Sequence, residues 1–407
     1  MIRETDKMKA IFKPAKLCGS IIAPPSKSMA HRYLIGAALS GQRCVLSGID
    51  QSEDILATID CLRALGAEVV IDGDTAVVDA PRFMSGECSE LECRESGSTL
   101  RFFAPLALCL GRRVTLKGAK RLFERPLDIY AELCAEKGFL FEKGEDSLVL
   151  CGALDGGDYS VRGDVSSQFI TGLVFALTFL NKASAITVVP PFESKPYVDL
   201  TLDALRAFGA DVRFVSEYKI EIKPAELHGR SCRIEGDHSN AAFLAAFGLV
   251  GSDVKVSGLD PYSLQGDRVY AEYFEQISKG RPTLDVSDCP DLAPVLIALA
   301  ALRNGATLTH TQRLAAKESD RGAAMHEELV KLGGGLVLGD DCITIPKQTL
   351  RYSEKALDGH NDHRIVMALS VILSCLGGEI EGAEAVRKSY PAFFEDIKQL
   401  GAEVEIK

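Results

Sequence analysis

The sequence predicts an α/β protein of two domains, each assembled from small repeated β/α units. Three observations carry that expectation: a chain of 407 residues, a recurring helix, glycine, strand, turn, strand pattern, and a last copy of it that stops short. A chain this long exceeds the size at which one hydrophobic core keeps growing, so two cores are expected. It can bury both without staples.

The repeat is legible from hydrophobic periodicity and glycine punctuation. It first appears over residues 61–78, where CLRALGAEVV leads through a turn into TAVV. It returns at 133–150, 204–222 and 329–345, more loosely at 274–286, and over 397–406 with one strand missing. In every copy a glycine follows the helix, where a C-cap requires positive φ. A spacing of roughly 70 residues is longer than a solenoid repeat, so each copy reads as a small subdomain. Six copies in two domains give three per domain. The stretch KAIFKP at 9–14 has the composition of a strand with no helix before it, and is expected to complete the truncated last copy. The chain then crosses between domains twice, near 22–25 and near 235–237. Residues 1–24 and 236–407 form one discontinuous domain, and 25–235 the other.

Composition narrows the function. A formal net charge of −11 argues against a general nucleic-acid or membrane-surface binder. Basic residues recur locally beside Ser, Gly and Pro, which suits a small anionic ligand. Among the twelve cysteines, Cys61, Cys109, Cys134 and Cys375 fall inside apolar helical patterns. No C-x-x-C pair exists, Cys88 and Cys93 are weakly spaced, and HEE at 326–328 lacks the second histidine of a zincin helix. Neither a disulfide framework nor a metal is expected. A charged N-terminus and the lack of a bilayer-length apolar run point to a cytoplasmic protein.

The chemistry gathers first at APPSKSMAHR, residues 23–32. Two prolines deny the approach helix geometry, and a helical stripe of Met29, Tyr33, Leu34, Ala37 and Ala38 follows, so Ser26 is expected to be an N-cap. Lys27 and Ser28 then sit at a helix N-terminus, where free N–H groups and the macrodipole favour an anion. Arg32 lies one turn along the same face. At 94–103, RESGSTLRFF sets Ser96, Gly97, Ser98 and Thr99 at a second helix start; it is not a Walker loop, and no G-x-G-x-x-G supports a nucleotide. In ERPLD, Arg125 precedes a proline expected at the first helical position. Ser166, Ser167 and Gln168 offer neutral donors before an apolar helix, and Ser194 repeats the pattern before Tyr197. Asp291 heads another apolar helix. Lys317 and Arg321 are expected four apart on one helix face with Glu318 beside them, Arg364 enters an apolar run, and Lys388 lies in RKSYP.

Taken in order, PPSKSMAHR, ESGSTLR, ERPLD, SSQF, SKPY, DCPD, KESDR, NDHR and RKSYP resemble the 5-enolpyruvylshikimate-3-phosphate synthase pattern across nearly the whole chain. The resemblance implies a two-domain inverse α/β barrel, each domain of three βαβαββ units, with substrates bound in the interdomain cleft. It implies transfer of the enolpyruvyl group of phosphoenolpyruvate to the 5-hydroxyl of shikimate 3-phosphate, releasing phosphate in aromatic amino acid biosynthesis. No cofactor, no nucleic acid, no membrane and a monomer go with it. Domain 25–235 would bind mainly shikimate 3-phosphate, and the discontinuous domain mainly phosphoenolpyruvate.

By that resemblance Ser28, Arg32, Ser166, Ser167, Ser194, Tyr197 and Lys317 contact shikimate 3-phosphate. Lys27 and Gln168 span both ligands. Gly97, Arg125, Arg321, Arg364 and Lys388 surround phosphoenolpyruvate. Asp291 faces the attacking hydroxyl, and Glu318 with Lys27 moves the proton. Two departures stand out: Glu95-Ser96-Gly97-Ser98 replaces a common Asn-Ala-Gly-Thr, and Arg313 replaces an asparagine. Gly97 keeps the small residue that the family inhibitor glyphosate needs. UDP-N-acetylglucosamine enolpyruvyl transferases resemble the same fold, but carry Lys-Asn where Lys27-Ser28 stands, and a cysteine where KRLFE occupies 120–124. A non-enzymatic ring such as a DNA clamp would spread lysines along pore-lining helices, whereas these cations precede helices.

Overall fold

A computed structural model of the chain describes residues 7–407, so the first six residues of the expected discontinuous domain lie outside it. Two compact units divide the chain: Pro25–Glu235 is one, and the described residues up to Pro24 with Gly236–Lys407 are the other. Each unit has a hydrophobic core of its own.

The Pro25–Glu235 unit contains three four-stranded sheets of one design, two parallel strands followed by an antiparallel hairpin. Ser231–Arg233 runs parallel to Cys44–Ser47, which pairs antiparallel with Thr75–Asp79, itself paired with Glu68–Asp72. Glu90–Glu92, Val114–Lys117, Ser147–Cys151 and Leu140–Lys143 repeat the order. Asp158–Arg162, Ser184–Val189, Lys219–Lys223 and Asp211–Ser216 do so again. Strand burial alternates, as in Thr75–Asp79, because only one sheet face meets a core. The helices Gly97–Leu108 and Ser167–Leu180 are buried almost all round and pack on each other in the centre of the unit.

The second unit repeats the design with two differences. Leu357–Asp358 runs parallel to Gly378–Glu381, and Lys9–Phe12 lies between that strand and Val404–Ile406, antiparallel to both. Register pairs Ala10 with Ile380 on one side and Ile406 on the other. The N-terminal strand thus supplies the return strand that the last copy lacks. Thr283–Asp285, Ala306–Thr309, Cys342–Ile345 and Val337–Leu338 form the second sheet, and Cys18–Ile22 with Asp253–Ser257 form a sheet of two.

Some local expectations are corrected. The loose copy at 274–286 is no hairpin: the helix Tyr270–Lys279 runs directly into Thr283–Asp285, which pairs in parallel with Ala306–Thr309. Its glycine, Gly280, is extended at φ −177°, whereas Gly66, Gly138, Gly209, Gly333 and Gly401 all have positive φ. After Thr283–Asp285 the chain enters the 3-10 turn Pro290–Leu292, where the other copies place a second strand. Pro126 precedes the helix instead of opening it; the helix begins at Asp128, because Arg125 is held extended by the proline after it. Among the described residues no helix is long and apolar enough to cross a membrane.

Candidate functional site

In the Pro25–Glu235 unit, helix N-termini bring cations and hydroxyls together. Ser26 caps the helix Lys27–Leu39, accepting from the Met29 amide at 3.4 Å. Lys27, the first helical residue, pairs with Asp54 at 2.6 Å. Arg32 is 2% exposed, and its donors go to uncharged oxygens: Thr201 Oγ1 at 2.9 Å, the Ser28 carbonyl at 2.6 Å and the Tyr197 carbonyl at 2.8 Å. Burial lowers its pKa to about 10, so it stays a full cation at neutral pH. His31 beside it is kept neutral, its pKa pushed well down by burial and by Lys27 and Arg32. A buried arginine held in place by neutral acceptors is poised for an anion.

Two further helix starts join it. Ser96 caps Gly97–Leu108 and Ser166 caps Ser167–Leu180. They are tied by Gln168, whose amide donates to Ser98 Oγ at 2.9 Å and whose carbonyl accepts from buried Arg101 at 2.7 Å. Gly97 has its role imposed by Arg125: a Cβ there would stand 2.5 Å from an Arg125 terminal nitrogen and 2.8 Å from its central carbon. Gly97→Ala is therefore expected to displace the Arg125 guanidinium and, if Arg125 has the role that the sequence resemblance implies, to raise KM for phosphoenolpyruvate by about tenfold, with little change for shikimate 3-phosphate. Steady-state kinetics against each substrate checks this. Ser194 stands at the N-cap position of Lys195–Ala207 in a left-handed conformation at φ 54°, without a side-chain capping bond to the helix, and Ser167 and Ser194 are both buried.

The other unit gathers its charges around one arginine. Arg321 is 1% exposed and donates to three carboxylates: Asp362 at 2.9 Å, Asp291 at 2.7 Å and Glu318 at 3.0 Å. Asp291 is also 3.5 Å from both Lys317 and Arg364. Burial alone would push its carboxyl up, but Lys317, Arg321 and Arg364 hold it well below the usual range. Lys317 pays the converse: burial, with Arg321 and Arg313 nearby, lowers its pKa to about 8 against the pull of Asp291 and Glu318. Arg364 donates to Asn240 Oδ1 at 2.9 Å and stacks over Phe243. Lys388 is buried and donates to the Asn361 carbonyl at 2.7 Å.

Lys317 and Arg321 do not share a helix face. Arg321 is the first residue of the helix Arg321–Lys331, capped by Asp320, while Lys317 follows a 3-10 turn at Gln312–Ala316. Asp291 brings them together across the fold instead. Sequence reasoning passed over Asp54, Asn240, Arg101 and Asp362. Asp362 stood inside the quoted NDHR motif, and its role as the cap of His363–Leu376 was available from its position. Arg313 donates to the Ser287 carbonyl at 2.5 Å, bracing the loop that carries Asp291.

These positions can be set against known proteins. A sequence model of the family described as EPSP synthase (3-phosphoshikimate 1-carboxyvinyltransferase) matches residues 11–397. The chain belongs to the EPSP synthase family. A 3-phosphoshikimate 1-carboxyvinyltransferase of Clostridium kluyveri is 39% identical, covering 97% of each chain. One of Clostridium perfringens strain 13 is 38% identical over 97% of this chain and 98% of its own. In three dimensions, EPSP synthase from Acinetobacter baumannii superposes with TM-score 0.77 at 22% identity, over 98% of this chain and all of the other. The enolpyruvyl transferase NikO from Streptomyces tendae reaches the same TM-score at 14% identity, over 98% and 99%. Structural likeness at these identities shows the shared two-domain α/β fold alone. EPSP synthase membership rests on the sequence, and both cationic clusters lie within the matched span.

Proposed function

We propose that the chain transfers the enolpyruvyl group of phosphoenolpyruvate to the 5-hydroxyl of shikimate 3-phosphate and releases phosphate. The observation that carries this reading is Asp291, a carboxylate ringed by Lys317, Arg321 and Arg364. Such a group is a base embedded in an anion site. UDP-N-acetylglucosamine is the disfavoured acceptor, since Ser28 follows Lys27.

Each substrate carries a phosphate and a carboxylate. At an effective dielectric of about 20, one like-charge pair 4 Å apart costs on the order of 4 kcal/mol, so cations must offset their approach. The Pro25–Glu235 unit supplies Ser28, Arg32, Ser166, Ser167, Ser194 and Tyr197 to shikimate 3-phosphate, with Lys27 and Gln168 contacting both ligands. Gly97 leaves Arg125 room at phosphoenolpyruvate. Arg321, Arg364 and Lys388 take its carboxylate, and Lys317 meets the shikimate side. In the free protein Asp291 is too weak a base, because three cations stabilise its charge. Bound anions neutralise those cations and raise its proton affinity when the hydroxyl proton must be taken. Glu318, with Lys27, protonates the vinyl carbon; the hydroxyl oxygen adds to that cationic centre. Collapse of the tetrahedral intermediate expels phosphate, stabilised by Lys27 and Arg125, as the methyl group returns a proton to Glu318 and the enol ether re-forms. The twelve cysteines, all free thiols in the structure, suit the cytoplasm as its setting.

The test is phosphate release from the two substrates against a UDP-N-acetylglucosamine control, with the carboxyvinyl product identified by mass. Release with shikimate 3-phosphate alone as acceptor supports the reading; release only with the nucleotide sugar overturns it. A pH profile adds a second check. Lys317 is charged below about pH 8 and loses its proton above it. The kcat/KM of the free enzyme is therefore expected to fall as pH rises through that value, and Lys317→Arg to move the alkaline limb beyond the measured range.

A further inference from the structure

The turn at residues 359–362 stands behind two groups assigned above to phosphoenolpyruvate. The Asn361 carbonyl accepts from Lys388 Nζ at 2.7 Å, and Asp362 accepts from Arg321 Nε and from the Arg364 amide, both at 2.9 Å. The backbone there is unusual. His360 and Asn361 have φ of 48° and 50°, a region that L residues with bulky side chains adopt only when their surroundings fix them.

The surroundings that fix this turn lie away from the substrates. His360 Nε2 is 2.8 Å from Glu328 Oε1, and its amide donates to Asp358 Oδ1 at 2.6 Å. Glu328 is fully buried, and it also accepts from Lys331 Nζ and from the Asp358 amide at 2.9 Å. One buried carboxylate thus ties the helix Arg321–Lys331 to both the entry and the crest of the turn. Glu327, Glu328 and His360 together have the donor types of a metal site. The Lys331 ammonium 2.8 Å from Glu328 already supplies the cation and repels another.

We propose that His360 is a positioning residue whose bond to Glu328 fixes the 359–362 turn, and that through Asn361 and Asp362 it sets Lys388 and Arg321 for phosphoenolpyruvate. The proposal rests on the reading of that site given above. The charges acting on the imidazole are those of Glu327 and Glu328 from the helix and Asp358 from the strand before the turn, with the Lys331 ammonium paired to the same Glu328 carboxylate. The hydrogen bond to Glu328 raises the His360 pKa above 6.5, against burial, and the charges of Glu328, Asp358 and Glu327 add to it. A raised histidine pKa means that the charge-assisted bond is complete below pH 6.5 and is lost as pH climbs through the folded value. KM for phosphoenolpyruvate should rise over the same range.

The experiment compares wild type, His360→Phe and His360→Gln by steady-state kinetics from pH 6 to 9 and by hydrogen exchange of the free proteins. His360→Phe is expected to raise KM for phosphoenolpyruvate about tenfold, with kcat and KM for shikimate 3-phosphate within about twofold. The Asp362 and Arg364 amides should exchange about tenfold faster. His360→Gln still donates to Glu328 but cannot charge; it should hold KM near the wild-type value at high pH throughout, well below that of His360→Phe, and remove the histidine component of its pH dependence. Unchanged exchange with unchanged KM in His360→Phe overturns the proposal. So does an equal rise in both KM values, or a glutamine variant as impaired as the phenylalanine one. Wild type that consumes neither substrate overturns the reading of the site instead, and exchange in the free proteins still decides whether His360 fixes the turn.

Discussion

Asp291→Asn is expected to lower kcat by about 10²–10⁴-fold, the range set by a lost general base, while phosphoenolpyruvate binds as well as before or better. The asymmetry follows from its surroundings. Asp291 is a counterion for Lys317, Arg321 and Arg364, so an isosteric amide frees Lys317, Arg364 and one end of Arg321, which keeps Asp362 and Glu318, while removing the proposed acceptor of the hydroxyl proton. Rapid-quench turnover together with equilibrium binding separates the two effects. An unchanged turnover number removes Asp291 from the mechanism.

Arg321→Met is expected to be the most destabilising single change in its unit. It strips Asp291, Glu318 and Asp362 of a cation that is itself 1% exposed, and Asp362 has no exposure with which to recruit water. Removing one partner of a buried ion network costs about 3–5 kcal/mol, which lowers the melting temperature of a unit this size by roughly 10 °C. The pH dependence identifies the cause. Asp291 titrates well below 3.8 in the folded protein, so its ion pairs stabilise above that pH and are lost as pH falls. The gap between variant and wild type should narrow below about pH 3.8, in melting curves recorded between pH 6 and pH 2. A constant gap would assign the loss to packing.

Much of this arrangement is legible in the sequence, because it is local. Ser26, Ser96 and Ser166 announce three helix starts, and the caps fall there. KAIF at 9–12 could be placed as a return strand because the last copy, ending at Val404–Ile406, was one strand short. What escaped depends on residues distant in the chain. Lys27 finds Asp54, Arg321 finds Asp291 and Asp362, and His360 finds Glu328, each through tertiary packing that no spacing rule encodes. The loose copy at 274–286 misled because composition does not reveal whether a glycine turns: Gly280 is extended where its counterparts are left-handed. Helical spacing likewise misassigned Lys317 and Arg321 to one face. A 3-10 turn ends before Lys317 and the helix begins only at Arg321, so three-dimensional convergence on Asp291 does what periodicity was expected to do.

The proposed chemistry needs a division of labour: Arg32 in the Pro25–Glu235 unit is to answer to shikimate 3-phosphate, and Arg364 in the other unit to phosphoenolpyruvate. Calorimetric titration of Arg32→Met and Arg364→Met with shikimate 3-phosphate alone tests it most directly. Arg32→Met should lose affinity by about tenfold or more, the worth of one charge-assisted contact, and Arg364→Met should keep the wild-type value within about threefold. Equal losses in the two variants, or a loss confined to Arg364→Met, would contradict that division.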